Sequence, residues 1–250
     1  MTSRPLSVLV AGMVAGHPGQ GGASWAVLQY VLGLRRLGHT VWLVEPVERL
    51  EPASCAYFRA VMAQFGLERH SALLVETTGE TVGLSYLELR RAAEGADLLV
   101  NISGMLRSPD LHAAPSRLYL DLDPAFNQLW AAEGLDVGLD GHTHFATVGQ
   151  LLGTSSCAVQ TLRRTWLHTL PPVVLDAWPV CDTPAGARFT TVGHWRSYGS
   201  IERDGVVYGQ KAHSVRQLLP LPGRTALPIE LAYAIDPAET ADLLALSAAG

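Results

Sequence analysis

The chain is short of charge and short of cysteine. Of its 250 residues only 16% are charged, against 48% hydrophobic. That balance excludes a disordered chain and leaves ample material for a core. The length suits one large domain, or one full domain with a partial second. Lys and Arg number 18 against 23 Asp and Glu, a formal charge of −5. No dense basic run occurs, which argues against a nucleic-acid partner, because phosphate backbones call for clustered cations. No stretch approaches the roughly 18 consecutive apolar residues of a membrane span, so none is expected. Met1-Thr2-Ser3-Arg4-Pro5 carries no cleavage-site pattern, so no signal peptide is expected. Three widely spaced cysteines, Cys55, Cys157 and Cys181, fit reduced, mostly buried thiols of a cytoplasmic protein better than a disulfide framework or a zinc site. Internal repeats and low-complexity segments are absent.

What is present is an alternation of strands and helices. Ser7–Ala11 is an apolar run without polar alternation, as in a strand buried on both faces. Five glycines and a proline follow within residues 12–22. A helix comes next, with Trp25, Leu28, Leu32 and Leu37 on its apolar side, Arg35-Arg36 in its last turn and Gly38 closing it. The next strand, Thr40–Val44, stops at Glu45-Pro46, completing a βαβ unit. Helices are expected around Cys55–Phe65 and over Tyr86–Ala93, and strands at Ala72–Glu76, Asp97–Asn101, Arg117–Asp121 and His144–Val148. Strands separated by helical spacers imply an open parallel α/β sheet of Rossmann-like type. Its ligands should lie beyond the carboxyl ends of the strands, where Gly, Asn, Asp and Glu cluster. Prolines crowd the stretch between Leu170 and Arg188, after which the pattern restarts: strand Phe189–Gly193, helix Gln210–Leu218, strand Ile229–Ala234 and a short helix capped by Asp236–Glu239. The expected organisation is a domain over 1–170, a linker over 171–187 and a partial second lobe over 188–250. That lobe has about sixty residues, roughly half of a doubly wound domain, which leaves a cut chain and a reduced lobe both open.

The glycine loop is the main chemical signal. Glycines let the backbone approach a ligand and bring a helix N-terminus against an anion or a polar sugar. It is not a Walker A loop, since no Gly-Lys-Ser/Thr follows, and its glycines are too spread for a dinucleotide fingerprint. A plain turn is the bland alternative. Asp140-Gly141-His142-Thr143-His144 has the look of a metal site, because His142 and His144 share one face of an extended segment. No other His or Cys has ligand-like spacing to it, so a hydrogen-bonded start of a strand is the better reading and no metal is assigned. Trp195 and Tyr198, beside Arg196, are placed to stack on a base or sugar, whereas Trp25, Trp42 and Trp166 sit in core-like patterns.

The opening through Glu45-Pro46, with Gly16-His17-Pro18-Gly19-Gln20-Gly21-Gly22 and Arg35-Arg36-Leu37-Gly38-His39, resembles the N-terminal domain of GT-B-fold glycosyltransferases. The segment Phe189–Arg196 resembles the first strand and loop of their C-terminal domain. The resemblance covers most of the chain as architecture and rests on few identities. It implies an acceptor lobe followed by a partial Rossmann-like donor lobe, with a small-molecule or glycan acceptor, a nucleotide-sugar as co-substrate and no cofactor or metal. On the acceptor side it points to Gly16, Gly19, Gln20, Gly21, Gly22, Glu45, Asn101 and Ser103. On the donor side it points to Arg196 and Lys211, a guanidinium and an ammonium suited to a diphosphate. It implies His17 as the base for the acceptor hydroxyl, oriented by Asp121 or Asp123. The chain departs from the family in an extra Gly199–Gly209 stretch resembling a hairpin around Asp204-Gly205, and in lacking the later donor-gripping glutamate and glycine loop. Two alternatives stay open: a non-catalytic relative that docks on a partner chain completing its second lobe, and another Rossmann-like enzyme binding a nucleotide or phosphate.

Overall fold

The apolar run at the start of the chain becomes β1 (Ser7–Ala11), buried from Val8 onward. The computed structural model describes residues 4–182, 184, 186–196 and 199–249, and these divide into two compact units, Met1–Trp178 and Pro179–Gly250. In the first, β1 is followed by α1 (Gly21–Arg36), β2 (Thr40–Pro46), α2 (Pro52–Gln64), β3 (Ser71–Val75), β4 (Glu80–Gly83), α3 (Tyr86–Glu94), β5 (Leu98–Ile102), β6 (Ser116–Asp121), α4 (Phe126–Ala132), β7 (His144–Thr147) and β8 (Trp166–His168). The strands form one sheet in the order β4-β3-β2-β1-β5-β6-β7-β8. Every pairing is parallel except β3 with β4. This is a Rossmann-like α/β sheet, as the strand–helix alternation implies.

Alternate residues of each strand feed opposite faces. Val8, Val10, Leu43 and Val100 pack with Val27, Leu28 and Val31 of α1 and Phe58 and Met62 of α2. Leu9, Ala11, Leu74 and Leu99 pack with Leu89 and Ala93 of α3. Each fully buried Leu or Val contributes about 1.5–3 kcal/mol relative to exposure, so two covered faces explain why these strands read as unbroken apolar runs. Local signals agree with the helix ends. Ser85 and Glu88 form a reciprocal capping box at the start of α3, and Gly38 takes φ +89 just beyond α1.

The expectations for Leu37 and for the cysteines need correction. Leu37 is not on the apolar side of α1 but 74% exposed. The inward positions of that helix are Ser24, Val27, Leu28, Gln29 and Val31, a face rotated away from Leu37. Of the cysteines, all free, only Cys55 is buried, while Cys181 is exposed. The first part of the proline-rich stretch is tied to α1: Val174 N–H donates to Gln29 Oε1 at 2.5 Å, and Trp178 stacks on Trp25 at 4.9 Å.

The second unit comprises β9 (Phe189–His194), β10 (Ile201–Arg203), β11 (Val206–Tyr208), α5 (Lys211–Leu218), β12 (Ile229–Ala234) and α6 (Thr240–Ala249). β9 and β12 pair in parallel, a second βαβ unit. β10 and β11 form the hairpin expected around Asp204-Gly205. Both turn residues have positive φ, +52 and +75, as a two-residue type I′ loop requires. No helix of the described residues is long and apolar enough to cross a membrane.

Candidate functional site

β1 pairs with β2 on one side and β5 on the other. The chain leaves β1 toward β2 and leaves β5 toward β6, so the strand order reverses between β1 and β5. In open α/β sheets the ligand crevice lies outside the carboxyl ends of the strands at such a reversal. The loops there are residues 12–20 after β1, 103–106 after β5 and 122–125 after β6.

Gly12 opens the first loop by steric necessity. A Cβ there would stand 2.9 Å from Val27 Cγ2 and 3.0 Å from Ile102 Cδ1, so only glycine lets α1 approach the sheet this closely. Gly16, His17, Pro18, Gly19, Gly21 and Gly22 are exposed and Gln20 is half-buried. The loop residues expected on the acceptor side therefore stand together on one largely exposed loop after β1.

Glu45, also expected to contact the acceptor, is fully buried behind that loop. Ala15 N–H donates to both its carboxylate oxygens, at 2.9 and 2.8 Å, and Gly16 N–H donates to Oε1 at 2.6 Å. Burial pushes its pKa up, opposed by these amide hydrogen bonds. Asn101 is likewise fully buried. It donates from Nδ2 to Leu106 O at 2.9 Å and accepts Leu106 N–H at 3.0 Å. Its Nδ2 also meets His142 Nε2 at 3.2 Å. An amide nitrogen only donates, so Nε2 accepts and Nδ1 carries the proton, donating to Leu139 O at 3.2 Å. Burial lowers the His142 pKa, in keeping with a neutral ring. His144 turns instead to the Thr143 hydroxyl at 2.8 Å. Ser103 is half-buried with φ +52 at the end of β5.

Asp121 ends β6 fully buried and saturated with donors. It accepts from Asp123 N–H at 3.0 Å, Asn127 Nδ2 at 2.7 Å, Gln128 Nε2 at 2.8 Å and Thr147 Oγ1 at 2.9 Å. No hydrogen bond among the described residues joins it, or Asp123, to His17. The structure therefore groups Asp121 and Asp123 with each other rather than with the loop histidine. Asp123 is half-buried, and its carboxyl has no hydrogen-bond partner among the described residues. Burial, reinforced by the neighbouring Asp121 charge, pushes it up to about 6. Two residues on, Ala125 has φ +79, a strained conformation for an L-residue that persists only where surroundings over-determine it. Here they do: Ala125 N–H donates to Gln128 Oε1 at 2.8 Å, and Gln128 is itself held by Asp121.

Glu76, just past β3, belongs to the same pattern and was not anticipated from the sequence. It accepts Arg107 N–H at 2.9 Å and Ser108 N–H at 2.5 Å. Glu45, Glu76 and Asp121 each latch backbone amides of the protein's own loops. Asp123 is a half-buried carboxylate at these strand ends that no donor of the described residues latches. A carboxyl poised near neutral pH and open to a partner can accept or deliver a proton.

In the second unit, Trp195 is not a stacking platform. It is 2% exposed and donates from Nε1 to Asp242 Oδ2 at 2.7 Å, while Arg216 forks onto the same carboxylate at 2.8 and 2.7 Å. Tyr198 lies outside the described residues. Arg196 forks onto Glu239 at the start of α6. Lys211 opens α5 with its Nζ over the end of β9, so that a Cβ on Gly193 would stand 3.4 Å from it. It forms no ion pair among the described residues.

No protein-family model matches the chain, and no curated protein matches it. Among solved structures it is similar to an alpha-glucosyltransferase in complex with UDP and a 13-mer DNA containing a central A:G mismatch. The identity is 10%, the match covers 97% of this chain and 70% of that one, and the TM-score is 0.46.

Proposed function

We propose that the chain is a GT-B-type glycosyltransferase whose first unit binds the acceptor and whose second unit binds the nucleotide-sugar. The observation that carries this reading is the unlatched Asp123, raised to about 6 at the carboxyl end of β6. In this reading Asp123, rather than His17, takes the proton from the acceptor hydroxyl. The hydroxyl oxygen attacks the anomeric carbon, and the bond to the nucleoside diphosphate breaks with its electron pair. Asp121 is a positioning residue: it holds Asp123 N–H, Asn127, Gln128 and Thr147, and its charge keeps the Asp123 carboxyl basic enough. His17 and the Gly16–Gly22 rim would contact the acceptor. On the donor side Lys211 is the better placed cation, because Arg196 is already paired with Glu239.

The test is calorimetric titration of the full chain with UDP-, GDP- and dTDP-sugars, followed by transfer assays with the donor that binds. Binding in the micromolar range, weakened by Lys211→Ala, is the expected result. Transfer should be lost in Asp123→Asn, whereas His17→Ala should raise the acceptor KM and leave kcat largely in place. No binding to any donor would overturn the donor assignment. A second reading, a non-catalytic partner subunit, draws on an apolar groove of about 450 Å³ in the second unit, lined by Val215, Leu218, Leu221, Leu231 and Leu246. Stable association of the chain with a complete transferase, without donor binding, would favour it.

A further inference from the structure

We propose that Glu45 is a built-in anion that occupies the amide nest of the glycine loop, so that the ligand received there is an uncharged, hydroxyl-bearing group and not a phosphate. Successive backbone N–H groups at the end of a first Rossmann strand form a concavity that binds anions, and phosphate-binding versions of the fold aim them at the ligand. In this chain the Ala15 and Gly16 amides point the other way, onto the carboxylate that ends β2, at 2.6–2.9 Å. Gly16 suits this role, since a Cβ there would crowd Glu45 Oε1 at 3.3 Å and Met13 Sδ at 3.1 Å. The carboxylate is wholly inaccessible, so an incoming anion can neither share these amides nor displace it without opening the loop. Its negative charge behind the rim repels a second anion and leaves neutral hydroxyls unopposed.

This narrows the acceptor class and rests on reading the crevice as the acceptor site. It also separates that reading from a Rossmann-like enzyme that cradles a nucleotide or phosphate on the same loop.

Two measurements on the full chain decide it. In ¹⁵N–¹H spectra of the wild type, the Ala15 and Gly16 amides should not respond to inorganic pyrophosphate. In Glu45→Ala the emptied nest should accept pyrophosphate at least about tenfold more tightly than the wild type, shifting those two amides, and acetate should raise the variant's melting temperature without raising the wild type's. A saturable pyrophosphate shift at Ala15 and Gly16 of the wild type would overturn the proposal. So would a folded Glu45→Ala chain indifferent to both anions. Should that variant fail to fold, the wild-type titration still decides, and Glu45→Gln, which keeps the shape and one acceptor oxygen, replaces it. A screen of neutral glycosides against the Gly16–Gly22 amides then tests the acceptor reading separately. Silence there would remove that reading even where the anion result stands.

Discussion

Replacing Asp123 by Asn should make the protein more stable and less active at once, and the two effects share one cause. The Asp123 carboxyl moves from an ordinary 3.8 to about 6, first through burial and then through the charge of Asp121. A native value above the unfolded one means that the native state holds the proton more tightly. Stability from this group is therefore full below about pH 4 and is lost as pH rises through 6. The full linkage is worth about 3 kcal/mol. Asp123 is half-buried, so solvent screening reduces the usable figure to roughly 1–2 kcal/mol. Asn is nearly isosteric and carries no charge, so Asp123→Asn removes this penalty above pH 6 and changes little below pH 4. For a unit of this size the gain corresponds to about 3–6 °C in melting temperature. Calorimetry of the full chain at pH 4 and pH 7.5 reads the difference, following the transition of the first unit. The same variant should show no transfer, because an amide cannot take the acceptor proton. A variant that melts like the wild type at both pH values, or lower at both, would refute the assignment of Asp123 as a strained, functionally retained carboxylate.

Other expectations follow from single contacts. Asp242 is held far below the usual carboxylate range, chiefly by its hydrogen bonds from Arg216. It supports the second unit above the ordinary carboxylate value and loses that support as pH falls, so Asp242→Asn should abolish the acid limb of that unit's melting profile. Lys211→Ala should weaken nucleotide-sugar binding more than Arg196→Ala. Lys211 is also the single lysine of the chain, so protection of that residue from amine-directed labelling by the bound donor gives an independent readout, and equal labelling with and without donor would count against it. Gly104 has φ +62, and a Cβ there would lie 2.6 Å from Val137 O and 2.7 Å from Tyr119 Cε2. Gly104→Ala should therefore cost about 2–4 kcal/mol in urea unfolding; a loss below about 1 kcal/mol would show that the turn after β5 yields readily.

The sheet was legible because two covered faces demand unbroken apolar strands, and Val8–Ala11, Leu43–Val44 and Leu99–Val100 satisfy that demand in sequence as in space. β4 was not, since Glu80–Gly83 is a largely exposed edge strand whose existence depends on pairing with β3 rather than on its own pattern. β8, three residues Trp166–His168, is likewise made by its neighbour. The end of β6 was legible as a place where acids gather; which acid is free was not. Glu45, Glu76, Asp121 and Asp123 are all carboxylates at or just past the carboxyl end of a strand. They differ in what lies within 3 Å: two amides each for Glu45 and Glu76, one amide and three side-chain donors for Asp121, and none among the described residues for the Asp123 carboxyl. Those donors come from residues up to 32 positions away, where local spacing carries no information. Charge at a strand end thus marks the place of a site, while the absence of an internal partner marks the group left to act on something outside. By that criterion the chemistry of this chain should be sought at Asp123 and, in the second unit, at Lys211, and not at the buried Glu45 that the glycine loop makes so conspicuous in the sequence.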